Sequence, residues 1–240
     1  MRLYKFTRND GEPCNGGSGK WSLPRGRRPG AWRAVKGDLE PCENGLHLCR
    51  SADLIHWLNE TLWEAEHDGE MVKVDDKVVV RKARLVRRVE TWNDKTAHLF
   101  AAHCAARALP IYEKHVKGDR RVRDCILTAH RFALGQATQA DLDAARAAAW
   151  DAARAAAWDA AWDAAGAAAG AAAGAAAWAA AGAAAWAAAG AAAGAAAGAA
   201  AGAAAGDAAW DAEGQWQRDL LMRALRNPAF LEKLPKELES

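Results

Sequence analysis

Residues 162–190 read WDAAGAAAGAAAGAAAWAAAGAAAWAAAG, and this stretch sets the architecture of the chain. One position in four holds glycine or tryptophan, and alanine fills nearly all the others. The same period runs from Arg146 to Gly214. Alanine is the best helix former, so the pattern predicts α-helix, whereas each glycine in a helix costs about 1 kcal/mol relative to alanine. A lone solvated helix has nothing to offset that cost.

Close packing against a second helix would offset it, because glycine lets two backbones approach each other. A step of four residues overshoots one helical turn by about 40°, so the marked positions form a stripe that winds around the helix. Two helices that keep such stripes in contact cross at about −50°, and a sustained pair forms a right-handed supercoil. We therefore predict an all-α Ala/Gly/Trp tetrad-repeat module with close right-handed helix packing, whose packing or partner-binding residues are Trp150, Trp158, Trp162, Gly166, Gly170, Gly174, Trp178, Gly182, Trp186, Gly190, Gly194, Gly198, Gly202, Gly206 and Trp210.

The partner helix belongs either to the same chain or to a second copy. An antiparallel pairing about Ala180 would place Trp178 opposite Gly182 and Gly174 opposite Trp186, so that each indole fills a glycine notch. Tryptophans that are not buried in this way would form a ladder suited to stacking on a partner. A disordered low-complexity tract is the alternative to both arrangements.

A membrane-active helical hairpin is a further alternative. Residues 164–206 carry no charge, and a stretch of that length is enough for two membrane crossings. However, the stretch has no Leu, Ile, Val or Phe and no basic cluster close to its ends, whereas inserted segments are typically rich in these apolar residues and flanked by basic ones. We therefore favour packing between helices in water over insertion.

Charge and cysteine content bear on organisation and compartment. Residues 1–140 hold 25 basic and 18 acidic side chains, whereas residues 141–240 hold 7 and 12, and this asymmetry favours separate units. The chain has 5 cysteines, an odd number, and no recognisable signal peptide, which together predict a reducing cytoplasm.

Outside the repeat, alternating and helical patterns predict an α+β protein of four parts. These are a small α+β domain over residues 1–92, connecting helices over 93–137, the repeat module over 138–226 and a tail over 227–240. In the first part we predict strands at 1–7, 31–36, 46–49, 71–74 and 78–89, and a helix over 52–63 that Ser51 caps. In the second we predict a helix that Pro110 ends, another over 119–134, and Thr138 as the cap of the long alanine helix.

Two clusters of cysteine and histidine are candidate chemical sites. Cys42, His47 and Cys49, with Cys14 upstream, have a Cys-x4-His-x-Cys spacing that differs from the paired cysteines of zinc sites. His98, His103 and Cys104 form a second cluster, but the two histidines are five residues apart, which puts them on different faces of a helix. We therefore predict no catalytic residue, no metal and no cofactor.

Two stretches near the N-terminus have sequence features of phosphate-binding or nucleic-acid-binding sites. The segment Gly16-Gly17-Ser18-Gly19-Lys20 is similar to a phosphate-binding P-loop, but Cys14 and Trp21 replace residues that the motif requires. Arg25-Gly26-Arg27-Arg28 is a basic loop, which we interpret as a solvated surface rather than a nucleic-acid site.

The first part of the chain resembles a known family. Leu3-Tyr4-Lys5, the strand Gly45-Leu46-His47-Leu48-Cys49, a short helix and the strand over 78–89 are similar to an uncharacterised phage and bacterial domain family with a Tyr-Lys opening and a Gly-Leu-His strand. The resemblance covers residues 1–92 and implies no activity. The same strand order is also similar to that of ADP-ribosyltransferases, with Lys5 where a histidine would stand, which would imply a transferase.

The middle of the chain resembles another family. Cys104-Ala105-Ala106-Arg107, Leu109-Pro110, the run over 118–123 and Phe132-Ala133-Leu134-Gly135, followed by the repeat, are similar to alanine-rich helical proteins assigned as immunity proteins. This resemblance covers about residues 97–165. It implies a cytoplasmic protein that neutralises a partner by binding to it.

Together these observations predict a non-enzymatic cytoplasmic interaction protein, which binds a protein partner or assembles with itself through closely packed Ala/Gly/Trp helices. An ADP-ribosyltransferase-like enzyme on the N-terminal domain and a membrane-active hairpin are the alternatives. We expect neither nucleic acid nor a membrane as the main partner.

Overall fold

The computed structural model describes residues 2–14, 17–159 and 207–239. The chain divides into two compact units, Met1–Trp92 and Asn93–Ser240. The first contains a β-sheet and the second contains helices, which confirms the predicted α+β class. The part of the predicted repeat packing that falls on residues 160–206 lies outside the described residues.

In the first unit, the described residues form a five-stranded antiparallel sheet. The strands are β1 Leu3–Thr7, β2 Arg33–Ala34, β3 Leu46–Leu48, β4 Thr61–Lys73 and β5 Val78–Arg88, and a 3₁₀ helix, Ser51–His56, lies between β3 and β4 in the chain. The order in the sheet is β1-β4-β5-β2, and β3 also pairs with β5. The two short strands β2 and β3 share one edge of β5, end to end, because β3 lies opposite Val78–Val80 and β2 lies opposite Lys82 and Ala83.

Opposite charges on facing residues hold the long β4–β5 hairpin in register. Each exposed pair of this kind contributes at most about 1 kcal/mol, but a slip by one residue would break all of them at once. The facing pairs are Glu64–Arg87, Glu66–Arg84 and Asp68–Lys82, and a further ion pair, Glu70–Arg81, lies at the register shift between Asp68 and Met71.

Alternating strand residues build the core on one face of the sheet. Leu46 and Leu48 are buried and His47 between them is only partly buried, as the alternation of β3 predicts. The buried cluster comprises Leu3, Trp21, Leu46, Leu48, Trp63, Ala65, Val78, Val80, Ala83 and Leu85.

The predicted helix over residues 52–63 was wrong. The 3₁₀ helix ends at His56, Arg50 is its N-cap in place of Ser51, and β4 begins at Thr61. Thr61 is opposite Thr7 of β1 in the sheet. The residues after 60 therefore satisfy the backbone hydrogen-bonding groups of β1, and this long-range requirement overrides the helical spacing of the leucines.

The described part of the second unit contains the helices α1 Asp94–His115, α2 Arg121–Ala133, α3 Gln139–Asp159 and α4 Asp207–Arg226. Helix α2 packs against both α1 and α3, and α4 packs on α1. Two short 3₁₀ helices, Pro228–Glu232 and Lys236–Leu238, follow α4 and contact α1.

The prediction that Pro110 ends the first long helix was also wrong, since α1 continues through it to His115. A proline removes one backbone hydrogen bond of the helix. The fully buried side chains of Leu109 and Tyr112, on either side of Pro110, add packing that keeps the helix intact.

The predicted cap of α3 is confirmed. The Asp141 backbone N–H donates to Thr138 Oγ1 at 3.1 Å, and the Thr138 N–H donates to Asp141 Oδ2 at 2.8 Å. This reciprocal pair satisfies two backbone donors at the helix start.

Buried polar groups fasten the C-terminal segment to α1 and α2. Nε2 of His103 and Nε2 of His130 both lie 3.1 Å from the carbonyl oxygen of Leu231. Arg123, nearly buried, donates to the Glu237 carbonyl at 2.9 Å. The segment after α4 is therefore part of the helical unit rather than a free tail.

Candidate functional site

Part of the predicted packing stripe lies within the described residues. Trp150 is on α3 and is 48% exposed. Trp158 also lies in α3, and Trp210 lies in α4. The remaining predicted positions, from Trp162 to Gly206, lie outside the described residues.

The face that α3 buries is not the every-fourth stripe. Leu142, Ala149 and Ala152 are buried, and their spacings of seven and three keep them on one side of the helix. Leu142 packs with Ala129 of α2. Trp150 follows Ala149 by about 100° around the helix and is exposed, so it is available to another molecule.

A cavity of about 160 Å³ lies in the first unit. Residues of β1 and β3 form part of its wall, and the segment after the 3₁₀ helix, the turn before β5 and two loops complete it. The lining combines amine, imidazole and thiol groups with apolar side chains: Lys5, Phe6, Pro13, Gly17, Cys42, His47, Leu48, Cys49, Trp57 and Lys77. Among the described residues that line the cavity, none is acidic.

Lys5 is the most unusual of the lining residues. It is partly buried in β1, and its Nζ lies 5.8 Å from the centroid of the Trp21 ring. Within the described part of the chain, Lys5 Nζ has no hydrogen bond and no ion pair. Burial lowers the pKa of Lys5 below its usual 10.5, and the Arg33 charge lowers it further. In the sequence, this partly buried amine is indicated by a lysine that stands within a strand of bulky residues.

His47 is held as a neutral imidazole. The backbone N–H of Cys42 donates to His47 Nε2 at 3.3 Å, so the proton of the neutral ring is on Nδ1. Burial lowers the pKa of His47, and the charges of Lys5 and Lys77 lower it further. Cys42 itself has a φ of 70°, which is costly for a non-glycine residue.

Lys77 differs from Lys5 because its charge is compensated. Its Nζ lies 3.1 Å from Asp76 Oδ1 and 4.9 Å from the centroid of the Trp57 ring. Burial disfavours its charged form, but the Asp76 carboxylate outweighs burial and raises the pKa. The indole N–H of Trp57 donates to the Asp76 carbonyl at 2.8 Å, which fixes this side of the cavity.

Cys49 in the cavity wall and Cys14 near it are protonated thiols. Burial raises the pKa of Cys49 to about 12 and that of Cys14 to about 11. A metal ligand or nucleophile needs the thiolate. Among the described residues, no group of three or more His, Cys, Asp or Glu side chains is arranged to hold a metal ion.

The second cysteine and histidine cluster of the sequence has structural contacts. His98 Nδ1 lies 2.7 Å from the Asp94 carbonyl oxygen, and its ring contacts Phe132 at 5.4 Å. His103 contacts the Leu231 carbonyl, as described above, and Cys104 is fully buried. These groups therefore support the packing of α1.

Comparison of the chain with protein-family models, with curated proteins and with solved structures gave no match. The three resemblances drawn from sequence motifs therefore stay predictions. None of the helices in the described ranges has the length and apolar character that a bilayer crossing requires.

Proposed function

We propose that this chain is a non-enzymatic interaction protein of the cytoplasm, which binds a second helix through its alanine-rich helical unit. The second helix belongs to another copy of the chain or to a protein partner. The observation that carries the proposal is Trp150, a tryptophan that is 48% exposed on α3.

The position of Trp150 supports binding at this surface. α3 already uses the face of Leu142 and Ala149 to pack on α2, and Trp150 is directed away from that face. Tryptophan is enriched among residues that dominate binding energy at interfaces. Alanines surround it in the sequence, and small side chains allow a second backbone to approach closely.

The state of the cysteines supports the compartment. All five are free thiols, and Cys49, Cys104 and Cys125 are buried. Disulfides are rare in reducing compartments, so free thiols are the form expected in the cytoplasm. Neutralisation of a partner, as in the immunity proteins that the middle of the chain resembles, is one form that this binding would take.

Light scattering after size exclusion, over a range of protein concentrations, tests self-assembly. We expect oligomers that weaken in Trp150→Ala and persist in Trp32→Ala. Trp32 is the matched control, since it is 37% exposed but lies in the first unit beneath Lys82 and Arg84. If the wild-type chain is monomeric, capture of a host protein that Trp150→Ala loses and Trp32→Ala keeps would support a heterologous partner. Equal behaviour of the two variants in both assays contradicts the proposal.

Leucine substitution in the repeat tests the role of its glycines. We expect Gly170→Leu, Gly194→Leu and Gly198→Leu together to lower helicity and thermal stability or to dissociate the oligomer, because leucine prevents close approach of the backbones. Unchanged circular dichroism, melting temperature and oligomeric state would show that no helix packs on this stripe.

An ADP-ribosyltransferase-like enzyme is the second candidate, and it rests on the resemblance of the first unit's strand order to that of those enzymes. NAD binding and turnover by the whole chain would support it. Cosedimentation with lipid vesicles is the corresponding test of a membrane-active hairpin.

A further inference from the structure

The cavity of the first unit carries one uncompensated positive charge. Its lining contains two ammonium groups, but Lys77 is paired with Asp76 at 3.1 Å. His47 is held neutral by the hydrogen bond from Cys42, and the Cys49 thiol is protonated. Lys5 Nζ, in contrast, has no anionic partner among the described residues. A partly desolvated charge without a partner is unfavourable, so an anion that enters the cavity would relieve it.

The size and walls of the cavity limit that anion to a small one with an apolar part. A cavity of about 150 Å³ accommodates a benzene molecule, and this one measures about 160 Å³. Phe6, Leu48 and Trp57 provide apolar and aromatic surface. Such a space holds one six-membered ring or a short branched chain, but not a nucleotide.

We propose that this cavity is a binding site for a small organic monocarboxylate, whose carboxylate pairs with Lys5 Nζ and whose apolar part lies against Phe6, Leu48 and Trp57. The inference is independent of the helical unit and of the binding function proposed for it.

Two features favour a carboxylate over a phosphate. A phosphate ester carries close to two negative charges at neutral pH, and a single free ammonium would leave one of them unpaired. Moreover, no arginine is among the described lining residues, whereas bidentate arginine contacts are the usual means of holding phosphate oxygens.

The surroundings of Lys5 also prepare it for a ligand. Its backbone is fixed in the sheet opposite Trp63 of β4, and its ammonium lies near the Trp21 ring. The Arg33 guanidinium also lies over the Trp21 ring, 4.9 Å from its centroid. The partial burial of Lys5 limits the side-chain freedom that a bound carboxylate would remove, which favours affinity.

Isothermal titration of the whole chain with benzoate tests the site. Benzamide is the neutral probe of the same shape, and inorganic phosphate is the alternative anion. We expect benzoate to bind with a dissociation constant of about 1 mM, in the range of small ligands. Benzamide and phosphate should bind at least about tenfold more weakly, because they lack the single charge or the apolar ring.

Two lysine variants test whether benzoate binds at Lys5. Lys5→Met keeps an unbranched side chain but removes the charge, and should weaken benzoate binding about tenfold to a hundredfold. Lys36→Met removes a charge from an exposed position of the same unit and should leave the affinity unchanged. Equal affinity of Lys5→Met and wild type, equal binding of benzamide, tighter binding of phosphate, or no binding at about 20 mM benzoate would each overturn the proposal.

A measurement on the wild-type chain covers the case in which Lys5→Met does not fold. Acetylation of individual lysines, followed by mass spectrometry, should be slower at Lys5 when benzoate is present and unchanged at Lys36. Acetylation of Lys5 at the same rate with and without saturating benzoate contradicts the site. Affinity should also fall as pH rises through the pKa of Lys5, which burial places below 10.5, because only the ammonium form pairs with the ligand.

Discussion

Arg107→Ala is the change for which the structure gives the sharpest expectation. Arg107 lies on α1 and donates from Nε to Glu213 Oε2 of α4 at 2.6 Å. The Glu213 side chain is only 3% exposed, and it also accepts a hydrogen bond from Gln217 at 3.2 Å. The guanidinium lies 4.5 Å from the centroid of the Trp216 ring. Alanine at 107 removes the ion pair and this stacking contact together.

The expected loss follows from the burial of the two partners. Removing one member of a fully buried pair costs about 3–5 kcal/mol, since the other charge is left uncompensated. Arg107 is 40% exposed, so water screens part of the pair, and Gln217 still donates to Glu213. Loss of the contact with Trp216 adds about 0.5–1 kcal/mol. We therefore expect Arg107→Ala to lower the free energy of unfolding of the helical unit by about 2–3 kcal/mol.

Urea unfolding at pH 7, followed by far-UV circular dichroism, measures this loss because the helices dominate the signal. The urea midpoint should fall while the slope stays unchanged, as expected for a pure change of stability. Glu213→Gln removes the buried charge and keeps the shape, so the double variant Arg107→Ala/Glu213→Gln should recover at least about 1 kcal/mol relative to Arg107→Ala.

Arg218→Ala is the control, because Arg218 bonds only the exposed Gln215 among the described residues and should change stability by less than about 0.5 kcal/mol. Two results would refute the reasoning. One is a loss below about 0.5 kcal/mol in Arg107→Ala. The other is a double variant that is as unstable as Arg107→Ala, since the destabilisation would then not come from the uncompensated charge of Glu213.

Three further predictions concern backbone space and pH. Gly30→Ala should destabilise the first unit by about 1–3 kcal/mol in thermal or urea unfolding, because an added Cβ would lie 1.9 Å from the Ser22 carbonyl oxygen; unchanged stability would contradict this close approach. Gly214→Ala in α4 should stabilise the second unit by about 0.5–1 kcal/mol, because its nearest neighbour would be a side-chain atom at 3.9 Å; a lower melting temperature would count against it. Burial lowers the pKa of His103 below its usual 6.5, so the unfolded chain takes up the proton first as pH falls. The free energy of unfolding should therefore decrease below about pH 6.5, and this decrease should be smaller in His103→Gln.

Local patterns predicted the elements whose stabilising contacts are close in sequence. The cap formed by Thr138 and Asp141 needs only four residues, and the alternation of Leu46, His47 and Leu48 needs only three. The prediction of a helix over residues 52–63 was wrong because Thr61 pairs with Thr7, more than fifty residues away. The helical spacing of apolar residues contains no information about such long-range pairing.

The sequence contains the residues of the cavity but not their grouping. Lys5, His47 and Lys77 come from three distant segments, and only the sheet brings them together. The cysteine and histidine spacing only approximates that of a zinc site, whereas the structure places the protonated thiols of Cys14 and Cys49 beside the unpaired ammonium group of Lys5. A charge balance of this kind depends on which neighbours compensate one another, and that information is absent from spacing alone.

The pairing of the sheet has a consequence for the nascent chain. β2 and β3 pair with β5 in the described structure, and β1 pairs with β4, while a two-stranded ribbon alone is only marginally stable. The sheet therefore cannot form until residues 78–88 have left the ribosome. At about 5–20 residues per second, the earlier strands emerge seconds before their partners, with Leu3, Phe6 and Leu46 still uncovered. During synthesis, this first unit should be a substrate for ribosome-associated chaperones.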